Sequence, residues 1–250
     1  MKANSMLALG LFMISLLVDS AYSQKVWEKK SYTNWTAAEV GRILLDSPWA
    51  QTLLETAHLA GNLPGTSYSA TIRLRSALPI RQALVRRRQL AVNYENLSST
   101  DRARFDAETR EFLECTDCAN FYIITLASRA FGGLPGVRLP NNTTTPGSYG
   151  VDITAPLKSL SLTDLKPYVH LINDSGEHRE IVGFIPPAGE AGEAMFVFPR
   201  MDNQGKLMIL PGDKKFHFKI DSEVFKKMAA PLKKFTFEVS RLVQNGEVIF

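Results

Sequence analysis

Polar and apolar positions change their spacing along this chain, and the changes mark its elements. Thr36-Ala-Ala-Glu39 fits a capping box, and Val40, Ile43 and Leu44 then recur at helical spacing, so a helix is predicted that ends near Asp46. Ser47-Pro48 can open a second helix, but Trp49 to Ala57 reads equally well as a strand. From Tyr68 to Arg75, the residues Tyr68, Ala70, Ile72 and Leu74 alternate with Ser69, Thr71, Arg73 and Arg75, which predicts a strand with one wet face. Ser76 to Pro79 starts a helix on which Ile80, Ala83, Leu84 and Leu90 can face a core while Arg81, Arg86, Arg87 and Arg88 form a solvated basic side. Ser99 to Glu114 reads as a helix carrying Phe105, Phe112 and Leu113 beside five acidic residues, and Ala119 to Ala127 reads as a strand.

Beyond this strand the pattern shifts. Gly, Pro, Asn and Thr crowd residues 131–156, the best candidate for a boundary. From Leu157 onward, short runs are predicted as strands: Tyr168 to Ile172, Glu180 to Ile185, Ala194 to Pro199, Lys206 to Leu210 and Lys215 to Ile220. One helix, capped by Ser222, interrupts them before Phe235 to Val243, an Asn245-Gly246 hairpin turn and Glu247 to Phe250. The fold class expected is therefore α+β, with helices concentrated in the N-terminal half and an antiparallel, β-rich C-terminal half. Residues 24–130 and 157–250 are read as two parts, or as one continuous domain.

The first residues have a different logic. Lys2 begins a short basic region, Met6 to Val18 is almost uninterruptedly apolar, and Ala21-Tyr22-Ser23 places small residues where a signal peptidase cuts. Cleavage is expected before Gln24. An apolar run of about 13 residues is too short to span a bilayer, so residues 1–23 read as an export signal and the mature protein as exported, periplasmic or extracellular.

Composition adds limits. With 250 residues, 45% hydrophobic and 22% charged, the chain is an ordinary globular one. Its net charge of +4, from 29 basic and 25 acidic residues, is too small to indicate nucleic-acid binding, and the arginine-rich stretch lacks the interleaved aromatics that stack on bases. No nucleic-acid partner is expected.

Cys115 and Cys118 are the only cysteines, and in an exported protein so close a pair is read as a local disulfide. The alternative is a redox-active C-x-x-C, but in thioredoxin-like folds that motif opens a helix, whereas here it follows one. The four histidines are scattered, and no metal ligands are assigned. The chain lacks G-x-S-x-G, H-E-x-x-H, the P-loop and the dinucleotide fingerprint, so no catalytic residue and no cofactor is assigned either. Asp174, Glu177 and Glu180 around His178 fall on an expected hairpin turn, where solvated charges are the default. Trp27, Trp35 and Trp49 fall within 23 positions, as core anchors or as an aromatic platform for a partner.

The stretch Tyr32-Thr-Asn-Trp35-Thr-Ala-Ala-Glu39-Val-Gly-Arg-Ile-Leu-Leu-Asp46-Ser-Pro-Trp49-Ala50 resembles one near the start of uncharacterised exported bacterial proteins, notably from Acidobacteria. Thr71 to Leu84 and the C-terminal hairpin share a looser likeness. The resemblance implies a bacterial exported protein and no activity. In a eukaryotic host Asn34, Asn96, Asn141, Asn142 and Asn173 would all head glycosylation sequons; in a bacterium they mean little. The functional expectation is a noncatalytic envelope or secreted protein that presents a sheet edge or aromatic groove to a protein or glycan partner. An enzyme without a local signature, including a thiol-disulfide oxidoreductase at Cys115 and Cys118, is the alternative.

Overall fold

The computed structural model describes residues 26–57, 66–130, 154–188, 192–221, 224, 234–244 and 246–250. Within them the fold is α+β with antiparallel sheets, helices mostly in the N-terminal half and strands dominating the C-terminal half.

A helical turn, α1 (Val26–Lys29), and a 3₁₀ turn (Tyr32–Asn34) lead into α2 (Ala37–Leu45). The capping box forms: the Thr36 hydroxyl accepts from the Glu39 amide, and the Glu39 carboxylate accepts from the Thr36 amide at 2.8 Å. Asp46 closes the helix. Ser47 does not open another; its hydroxyl bonds back to the Ile43 carbonyl at 2.8 Å, and the chain enters strand β1 (Ala50–Ala57). Strand β2 (Thr66–Leu74) and helix α3 (Leu78–Ala91) follow, with Pro79 in the first turn. Helix α4 (Ser99–Glu114) has the predicted bounds and is capped by Ser98; strand β3 (Phe121–Ala130) runs three residues past the predicted end.

The second half departs more from expectation. A 3₁₀ turn (Ala155–Ser159) and α5 (Leu162–Leu165), with its own capping box from Ser161 and Asp164, precede β4 (Val169–Ile172). The run Glu180 to Ile185 divides between β5 (His178–Glu180) and β6 (Gly183–Ile185). Strands β7 (Glu193–Pro199) and β8 (Lys215–Ile220) form as predicted. Lys206 to Leu210 is not a strand; only Met201 and Leu207 bridge. Side chains there satisfy the backbone instead: Asp202 accepts from the Gln204 and Lys206 amides, and Asp213 accepts from the Leu210 amide. Met208 and Ile209, adjacent in sequence, are both buried there.

Phe235 to Val243 likewise does not run as one strand. It divides into β9 (Phe235–Glu238), a helical turn α6 (Val239–Leu242) and β10 (Val243–Gln244), which pairs with β11 (Glu247–Val248). Val239 and Leu242 are three apart and both fully buried, a spacing that a helical turn satisfies and a strand does not. Gly246, at φ +82°, takes the left-handed conformation that a tight hairpin turn requires. The helix predicted at Ser222 and most of the 131–156 connection lie outside the described residues.

Two sheets build the core. The larger has the order β1-β2-β3-β7-β6, and the smaller β5-β4-β8-β9. Residues of 24–130 and 157–250 thus share one sheet, where Ile124 on β3 faces Phe196 on β7. Ala70, Ile72, Leu74, Tyr122, Ile124, Leu126, Ala194, Phe196 and Phe198 form the inner face of the larger sheet. Against it pack Leu171, Phe216, Phe218, Phe235 and Phe237, with the Phe196 and Phe218 rings 5.3 Å apart and Phe198 edge-on to Phe218.

The outer face of the larger sheet corrects an expectation. Ser69, Thr71 and Arg73 are not wet but buried. The C-terminal end of α2 lies there: Thr52, which is hydroxyl-bonded to Thr71, donates to the Leu45 carbonyl at 2.8 Å, and Arg73 donates to the Leu44 carbonyl at 2.7 Å.

Candidate functional site

The arginine-rich stretch is the first candidate, and half of it turns inward. Arg81 and Arg86 are buried, against the expectation of a solvated basic side. The last carbonyls of a helical turn have no partner within the turn, and a guanidinium carries five donors in a fixed fork. Arg73 takes Leu44 near the end of α2, Arg81 takes Leu113 near the end of α4, and Arg86 takes Trp35, the cap of the first 3₁₀ turn. Arg102 and Arg200 repeat the device outside the stretch, on Leu97 and Cys118. Carboxylates complete the network: Arg86 pairs with Glu95 at 2.6 Å, and Glu193 accepts from Arg73 at 2.6 Å with Arg75 at 3.8 Å. Only Arg87 and Arg88 stay exposed, and Arg88 already lies 3.7 Å from Glu108. Arg73 thus ties a helix end to the sheet, while Arg81 and Arg86 tie the ends of neighbouring helical segments to α3.

The tryptophans are the second candidate. Trp35 and Trp49 are buried, and each indole N–H donates to a carbonyl, Trp35 to Lys30 and Trp49 to Ile249. Trp27 packs edge-on against Trp49 with ring centroids 5.0 Å apart. The cluster pins the N-terminal segment and the C-terminal hairpin to one core.

Cys115 and Cys118 form a disulfide at the end of α4. Cys115 is in the left-handed region at φ 45°, and its carbonyl accepts from the Cys118 amide. A helix C-terminus disfavours a thiolate, the reverse of the arrangement that activates a redox cysteine. Arg200 donates to the Cys118 carbonyl at 3.0 Å and lies over the Tyr122 and Phe250 rings at 5.2 and 5.1 Å, which ties the disulfide loop to the core. Burial pushes the Tyr122 phenol above its ordinary value.

Asp174, Glu177, His178 and Glu180 do lie on the β4–β5 hairpin, but each of the three carboxylates has a structural engagement. Asn173 sets the turn, its side-chain oxygen accepting from the Ser175 hydroxyl and the Glu177 amide at 2.8 Å each and its amide donating to Met208. Glu177 pairs with Arg179 at 2.9 Å and Lys206 at 3.2 Å, Glu180 pairs with Lys166 at 3.3 Å, and Asp174 accepts from the Lys214 amide. Among the described residues, no group of three or more His, Cys, Asp or Glu side chains is placed to hold a metal ion.

On the same sheet, His217 is only 7% exposed and hydrogen-bonds the Thr236 hydroxyl at 2.9 Å through Nδ1. Burial first, then Lys234 and Lys215, push its pKa below the ordinary value against the opposing pull of Asp174. The folded state therefore favours neutral His217, and the unfolded chain binds its proton more readily. Stability from this group is complete above the unfolded pKa of about 6.5 and is lost as pH falls below it. Denaturation midpoints measured from pH 8 to pH 5 should show this loss, and His217→Gln should flatten that part of the profile.

Sequence reasoning expected a sheet edge offered to a partner but did not say which strand forms it. β6 closes the larger sheet on one side and has no further strand beside it among the described residues. Ile185 is 54% exposed and Val182 49%, while Phe184 packs inward on Phe196 at 5.3 Å. On the outer face, Ile185 stands opposite Met195, and Gly183 opposite Val197, both half-buried. The sequence signal was an uncharged run, Val182-Gly-Phe-Ile185, stopped by Pro186-Pro187. No described helix is long and apolar enough to cross a membrane. Comparison with protein-family models, with characterised proteins and with solved structures finds no match for this chain.

Proposed function

We propose that this is a noncatalytic exported protein that binds a protein partner along strand β6. The observation that carries the reading is the open, uncharged edge with Val182 and Ile185 exposed beside Met195 and Val197. A sheet edge offers a row of backbone donors and acceptors to an added strand, and soluble proteins commonly blunt such edges with charge. β6 carries no charge, and the prolines after Ile185 hold it to three residues, so a partner gains a short backbone register plus apolar contact. A glycan partner is the weaker reading, because Trp35 and Trp49 are buried and the half-buried Trp27 is packed edge-on against Trp49, which leaves no platform of several tryptophans to stack on sugar rings. The apolar N-terminal segment, the resemblance at residues 32–50 and the Cys115–Cys118 bridge support export.

A photo-crosslinking residue placed at Ile185 tests this in the native compartment. A discrete adduct is expected, whose partner is identified by mass, and Val182→Lys with Ile185→Lys should abolish its recovery while moving stability by no more than about 0.5 kcal/mol per site. Absence of any adduct at Ile185, or recovery of the partner undiminished by the two lysines, would sink the proposal.

A further inference from the structure

We propose that His170 and His178 form a binding site for a divalent transition-metal ion, with zinc, copper and nickel as the fitting class. Strand register brings the two side chains together. β4 and β5 pair antiparallel with His170 opposite Glu180 and Ile172 opposite His178, so the two histidines are diagonal neighbours on one face of the smaller sheet. Val169 and Leu171 point the other way, into the core. The rings are 5.7 Å apart between centroids and inclined at 59°. Two imidazoles sharing one ion at metal–nitrogen distances of about 2.0–2.1 Å have centroids roughly 5–6 Å apart, so the spacing of the pair is the spacing that a shared metal requires.

A second observation points the same way. The Nε2 of His170 is 2.9 Å from the carbonyl oxygen of Pro167. A carbonyl only accepts, so in the neutral ring Nε2 carries the hydrogen and Nδ1 keeps the bare lone pair. That Nδ1 is shielded from solvent and has no hydrogen-bond partner. A ring that donates one N–H to a backbone carbonyl and offers its other nitrogen is the arrangement by which proteins orient a metal-binding histidine. The turn between the two strands, fixed by Asn173, holds both rings in register before any ion arrives.

The site has two protein ligands. Glu180, the nearest carboxylate by register, is engaged by Lys166 and makes no third ligand in this arrangement. Water completes the coordination, which leaves positions open to an external ligand. Histidine nitrogens select the borderline ions over calcium or magnesium, which prefer oxygen.

The test uses the full exported protein, purified without a histidine tag and stripped with chelator, titrated calorimetrically with Zn²⁺ and separately with Cu²⁺. One equivalent should bind at micromolar concentrations, the Cu²⁺ complex should show two imidazole nitrogens by electron paramagnetic resonance, and nitrogen-15 spectra should place the His170 proton on Nε2 in the metal-free state. His178 is exposed, so His178→Ala should leave the metal-free melting temperature unchanged and lower affinity at least tenfold; His170→Ala should do the same to affinity. Glu180→Gln should bind as the native protein does. Absence of binding up to millimolar metal, undiminished binding in the double histidine variant, or a His170 proton on Nδ1 would each overturn the assignment.

Discussion

Replacing Arg73 by methionine is expected to destabilise the protein by about 3 kcal/mol, measured by urea or guanidinium unfolding. Removing one partner of a buried ion pair costs roughly 3–5 kcal/mol because the remaining charge is stranded. The lower end applies here, since Glu193 keeps Arg75 at 3.8 Å and is itself partly exposed. Arg73 is 2% exposed and joins three elements: it lies on β2, donates to Leu44 at the end of α2, and reaches Glu193 at the start of β7. Its loss leaves a buried carbonyl and a half-paired carboxylate at once. A second variant separates charge from packing. Combining Arg73→Met with Glu193→Gln removes the stranded charge and should recover part of the loss, as ion pairs replaced on both sides are often tolerated. If Arg73→Met alone were within about 0.5 kcal/mol of the native protein, the strut role assigned to the buried arginines would be wrong.

Trp49→Ala should cost about 3–5 kcal/mol, the range for deleting a large aromatic from a core, and lower the melting temperature by roughly 10 °C in a protein of this size. The indole is fully buried, packs against Trp27, and donates to Ile249 on the C-terminal hairpin. Beyond the cavity, its removal therefore orphans a carbonyl some 200 residues away in sequence. Limited proteolysis should report this as preferential cleavage near residues 243–250. Uniform protection of that hairpin in the variant would show that Ile249 does not depend on Trp49. A melting temperature close to native would instead argue that the aromatic cluster is peripheral.

Helix ends and short strands were legible in the sequence because a few adjacent side chains create them. The Thr36–Glu39 capping box, the bounds of α4, β8 and the Asn173 turn each depend on hydrogen bonds or alternation within a handful of residues. The Cys115–Cys118 bridge belongs to the same class, since a separation of three leaves little for tertiary structure to decide. Even the break at Val239–Leu242 left a trace, a shift in apolar spacing from two to three after Phe235, Phe237 and Val239.

Burial was not legible, and neither was the candidate site. Ser69, Thr71 and Arg73 alternate with apolar residues as a wet face would, yet all three are buried, with the end of α2 against Arg73 and, through Thr52, Thr71. Arg73 finds its partners 29 and 120 positions away, distances at which no local pattern carries information. Arg81 and Arg86 look identical in sequence to Arg87 and Arg88; they differ only in whether a helix end from elsewhere in the chain arrives beside them. The edge position of β6 follows from the order in which strands assemble, and the His170–His178 pair from the register of β4 on β5. Sequence by itself determined the local elements, their caps and the disulfide, because short-range hydrogen bonding and propensity suffice for those. Tertiary structure alone decided which polar faces are covered and which strand is left at the edge, because each depends on packing between segments far apart in the chain.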